Sequence, residues 1–137
     1  MTTAKNIIKL TATGLILVAS FTAYPQEQSL GQYNKVLATA SLESEGASDV
    51  AIREVYWPPG WKAPKHYHNS NLFIYVIEGE FEVTTEKDGI KRYTRGDTLR
   101  MQPATVMDAR NISDTMPLKL VVFQVGKPGS PFSVPVE

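Results

Sequence analysis

Beyond residue 34 the chain breaks into short runs rich in β-branched and aromatic residues, each closed by turn chemistry, and no segment carries a helical stripe. The runs are Lys35 to Ser41, Val50 to Trp57, Phe73 to Ile77, Glu80 to Glu86, Ile90 to Thr94, Thr98 to Met101, Val106 to Arg110 and Leu118 to Gln124. Pro58, Pro59 and Gly60 stop one run, Gly79 separates the next pair, Lys87-Asp88-Gly89 makes a hairpin connection, and Gly96-Asp97 marks a tight turn. Eight short strands in series without crossover helices predict an all-β domain. An antiparallel β-barrel of the jelly-roll type is the expected architecture.

Length and charge narrow the chain further. Its 137 residues suit one core and are too few for two. Fourteen basic residues balance fourteen acidic ones, with no basic block, so no nucleic-acid partner is expected. Residues 1–23 read as an N-terminal signal peptide: Lys5 and Lys9 form the positive region, and Leu10 to Thr22 an apolar stretch too short to span a bilayer comfortably. Cleavage after Ser20 or after Ala23 would leave a small residue at the cut. Removal of residues 1–23 leaves 12 basic against 14 acidic side chains, a net charge of −2. The mature protein is expected to be periplasmic or secreted, with no stable membrane anchor. Residues 24–33 are polar and read as a flexible leader, with the barrel domain at 34–137. Cysteine is absent, which removes disulfides, thiolate metal sites, a cysteine nucleophile and a lipoprotein anchor from consideration.

Both histidines of the chain stand together in His66-Tyr67-His68. On a strand, a spacing of two puts both imidazoles on one face, where they can share a metal ion. Gly60, His66, His68, Leu72 and Gly79 follow the spacing G-x5-H-x-H-x3-E-x6-G throughout, with Leu72 in the glutamate position. A second pattern, G-x5-P-x-G-x2-H-x3-N, runs from Gly96 to Asn111, with Gln102, Ala104 and Met107 in place of its proline, second glycine and histidine. On these residues the chain resembles the cupin superfamily, its small single-domain members in particular. The resemblance covers 34–137 and implies a conical barrel, or double-stranded β-helix, with a metal or ligand site inside. The family's usual ligands are three histidines and a glutamate.

Carried over by position, His66 and His68 match, whereas Leu72 and Met107 do not. Loss of the carboxylate disfavours iron and manganese. Two imidazoles with the thioether of Met107 suit copper or zinc, and Met107 reads equally as a filler of the vacated space. Asp108 follows Met107 directly and should point the other way unless a bulge at Pro103 reverses the parity. Trp57, Trp61, Tyr67, Phe73 and Tyr75 flank the histidines, with alternation expected to send about half of them outward. Arg100 and Arg110 are the candidate cations for an anionic ligand, and Asn111-Ile112-Ser113 matches a glycosylation sequon by coincidence of a short pattern. No nucleophile elbow or phosphate loop occurs. The expected partners are a metal or small-molecule ligand and, through the strand at Lys35 to Ser41, a second copy in a homodimer. A binding protein is the first reading, and a metal-dependent enzyme of isomerase, decarboxylase or oxygenase type the alternative.

Overall fold

A computed structural model describes residues 31–43 and 48–137; the proposed signal peptide and most of the leader lie outside the described residues. Ten strands and no helix occur among them: β1 Tyr33–Leu42, β2 Ser48–Trp57, β3 His66–Tyr67, β4 Asn71–Glu78, β5 Glu80–Thr85, β6 Gly89–Thr94, β7 Thr98–Met101, β8 Met107–Asn111, β9 Leu118–Gly126 and β10 Val134–Pro135. All eight expected strands form. The two-residue strands β3 and β10 are additional, too short to produce an alternation that a sequence could display.

Two five-stranded sheets, ordered β1-β2-β9-β4-β7 and β10-β3-β8-β5-β6, face one another with every pairing antiparallel. Period-two alternation fills the space between them. Leu72, Ile74 and Val76 of β4 point inward and are buried, as are Leu118, Leu120 and Val122 of β9 and Met107 and Ala109 of β8. The intervening Phe73, Tyr75, Ile77 and Phe123 are exposed on the outer face.

Two turns show how tightly the backbone is held. Gly79 has φ +90, and a Cβ there would collide with the Pro117 carbonyl, so only glycine allows β4 to turn into β5 beside β9. Ala104 is the one non-glycine residue with positive φ among those described (φ +61), and its N–H donates to the His68 carbonyl at 2.8 Å. Alanine thus occupies a left-handed position that favours glycine, at the place where the second sequence pattern expects one.

Candidate functional site

The histidines reach the interior through an irregular approach. Lys62 pairs with Arg110, whereas His66 pairs with Met107, so one extra residue is accommodated between positions 62 and 66. Pro64, which has no N–H to donate, sits in that stretch. Without the extra residue, His66 would share the outward face of Lys62. With it, His66 lies directly across from the buried side chain of Met107.

His68 follows β3 and is 3% exposed, and the two imidazole centroids lie 4.9 Å apart at an interplanar angle of 87°. Each ring is oriented by the backbone through Nδ1. That of His66 meets the Pro64 carbonyl at 2.7 Å, and that of His68 makes a short contact with the Phe132 carbonyl. With Nδ1–H donating, each ring keeps Nε2 as its lone-pair nitrogen, the arrangement metal-ligating histidines commonly have. Burial pushes the pKa of His68 down to about 4; the hydrogen bond to Phe132 opposes this shift and nearby His66 adds to it. His68 is therefore neutral and ligand-competent well below pH 7.

The C-terminal segment closes this end of the barrel. Val134 and Pro135 pair with Tyr67 and His66, and the Val136 N–H donates to Lys65. The Phe132 ring rests 5.3 Å from that of His68. Trp57, Trp61, Ala63, His66 and Phe132 line a cavity of about 390 Å³, with Trp57 and Trp61 in contact at 4.5 Å. Phe73 and Tyr75, by contrast, lie on the outer face.

Of the remaining positions in the cupin ligand set, Leu72 is 1% exposed and paired in register with Met101 and Gln124; it can ligate nothing. Asp108 falls between buried Met107 and Ala109 in the β8 alternation, so the bulge that would turn it inward is not realised. No group of three or more histidine, aspartate and glutamate side chains converges among the described residues. The donors present suit a soft or borderline ion better than manganese or iron, because the carboxylate oxygen that harder ions prefer is missing.

The two arginine candidates lie elsewhere. Arg100 is exposed, donates to Asn71 and stands over the outer face of Phe73. Arg110 and Arg92 bind the buried carboxylate of Glu82 at 2.7 and 2.9 Å, and hold its pKa below the ordinary carboxylate range. Asn111 is buried and donates to the Trp57, Pro58 and Met116 carbonyls, clamping the end of β2 to the loop before β9, which excludes a sugar on its amide in the folded chain. The residues that sequence reasoning missed are Arg53, Ser70, Gln124 and Phe132. The alternation carried a signal for two of them: Arg53 is in phase with Val55 and Trp57, and Gln124 with Leu118, Leu120 and Val122.

Comparison with known proteins agrees with this architecture. The family model described as a cupin domain matches residues 53–124. An RmlC-like cupin family protein with a double-stranded β-helix fold, from Methanocaldococcus jannaschii, is similar at 23% identity and TM-score 0.59, over 82% of this chain and 94% of that one. A cupin 2 domain-containing protein from Halorhodospira halophila is 16% identical with TM-score 0.61, over 82% of this chain and 75% of that one. The DMSP lyase DddQ from Ruegeria pomeroyi is 25% identical with TM-score 0.55, over 72% of this chain and 51% of that one. A search of curated proteins returned no match.

Proposed function

The chain belongs to the cupin family, and on that premise we propose that it is an exported protein that binds a soft metal ion, copper or zinc, through His66 and His68. The observation that carries this reading is the pair of backbone-anchored imidazoles 4.9 Å apart, with the buried Met107 opposite His66. Met107 is the third donor. A thioether with two imidazoles favours Cu(I), and the same pair with water in the remaining positions would hold Zn²⁺. The metal would supply a Lewis-acid centre at the cavity lined by Trp57, Trp61 and Phe132. This chain's own residues fix the imidazole tautomers, keep His68 unprotonated and exclude bulk water from it. Export rests on the character of residues 1–23 and places the site outside the cytoplasm.

Turnover of a small molecule is the second reading, favoured by the coordination positions that two or three protein donors leave open. The test is metal analysis of the purified mature protein beside His66→Ala and Met107→Ala. Copper near one equivalent in the wild type and lost in both variants, or zinc near one equivalent and lost in His66→Ala, supports the reading. Negligible metal in all three proteins would remove it.

A further inference from the structure

A second cavity, of about 520 Å³, is lined by Arg53 and shares no lining residue with the cavity that His66 lines. Its volume is within the range of small-molecule sites, and the polar part of its wall is Thr39 and Ser41 of β1, Asp49 and Arg53 of β2, Ser70, Gln124 of β9 and a second cation, Lys127. Arg53 occupies an inward position of β2, in register with Val122, where an aliphatic side chain would be expected.

The partners of this guanidinium are all uncharged. Its Nε donates to Gln124 Oε1 at 3.0 Å, an Nη reaches Asn34 Oδ1 at 3.4 Å, and its plane stands 4.9 Å from the Phe132 ring. No carboxylate among the described residues forms an ion pair with it, and burial lowers its pKa from the ordinary arginine value. Asp49 lies four residues along the same strand, roughly 13 Å away by strand rise, and accepts a hydrogen bond from the Ser41 hydroxyl at 2.7 Å. A half-buried cation without a counter-charge is costly, and the rest of the cluster is built to keep it in place. Gln124 is itself held by Ser70 and the Ser130 and Pro131 carbonyls. Ser70 fits only because residue 126 is glycine, since a Cβ there would overlap its hydroxyl.

We propose that this cavity is a binding site for a small hydroxylated carboxylate. The ligand's carboxylate meets the planar fork of Arg53, which matches two carboxylate oxygens. Its hydroxyls meet Thr39 and the hydrogen-bonded pair Ser41 and Asp49, which offer hydroxyl and carboxylate oxygens. This assignment does not depend on a metal at the histidines.

Calorimetric titration of the full mature chain with D-gluconate, D-glucuronate and L-tartrate tests it, with D-glucose and inorganic phosphate as controls. At least one hydroxylated carboxylate is expected to bind, more tightly than either control. Arg53→Lys, which keeps the charge but loses the fork, should weaken that binding by tenfold or more. Thr39→Val, on the exposed wall strand and harmless to the core, should weaken it a few-fold, and His66→Ala should leave it unchanged. Absence of binding by all three acids, equal binding by Arg53→Lys in a folded protein, or tighter binding of glucose or phosphate would each overturn the proposal. An effect of His66→Ala equal to that of Arg53→Lys would overturn the assignment of a separate site.

Discussion

The sheet that carries His66 and Met107, with His68 just beyond β3, and the opposite sheet that carries Leu72 together supply the four ligand positions of the cupin set, yet only the first keeps donor atoms there. The difference follows the backbone. Each imidazole has a carbonyl to orient it, from Pro64 or from Phe132. Leu72 faces Met101 and Gln124, and Gln124 is already committed to Arg53, Ser70 and the Ser130–Pro131 backbone. A carboxylate at position 72 would therefore be buried without a partner. Position 72 has become core, and the histidine sheet remains chemistry.

The most damaging test of that contrast is Leu72→Glu, which restores the family residue. Burial of an uncompensated charge should cost on the order of 3–5 kcal/mol in urea denaturation without metal. Added Mn²⁺ should recover part of the loss, because the restored carboxylate completes a harder donor set. Unchanged stability without metal would show that this wall is more polar than the packing implies.

The histidine wall predicts a pH effect. An unfolded histidine takes its proton near pH 6.5, whereas folded His68 takes one only near pH 4. Between these values the unfolded chain binds the extra proton, so this group's contribution is full above pH 6.5 and is lost as pH falls toward 4. Its slope is at most about 1.4 kcal/mol per pH unit. Urea midpoints from pH 7 to 4.5 should fall more steeply for the wild type than for His68→Asn. Parallel curves would contradict the burial argument.

A smaller gain is expected from Ala104→Gly. The left-handed backbone at 104 should be relieved by about 0.5–1 kcal/mol, visible as a higher thermal midpoint. No gain would mean that the loop carrying the His68 contact relaxes without cost. The smallest effect belongs to Asp108→Asn, whose side chain points away from the histidines and which should leave metal content unchanged. Loss of metal in that variant would bring Asp108 back into the site.

Much of the fold could be read from the sequence because alternation and turn residues are local properties. Gly79 and Asn111 stand where the family spacing puts them, and each has a steric or hydrogen-bonding reason to be there. The site was less readable. The extra residue that turns His66 inward and the pairing of β10 with β3 arise from contacts between segments distant in sequence. Arg53 is the instructive omission. Charge alone made Arg100 and Arg110 equally attractive, and only parity along the strands separates the inward arginine from the two outward ones.

X-ray absorption at the edge of the bound metal tests the central claim most directly. Two imidazole nitrogens and one thioether sulfur are expected around copper, or two imidazoles with water oxygen around zinc, with the bound metal and its edge lost in His66→Ala. A shell of oxygen donors alone, or an imidazole signal that persists unchanged in His66→Ala, would contradict it.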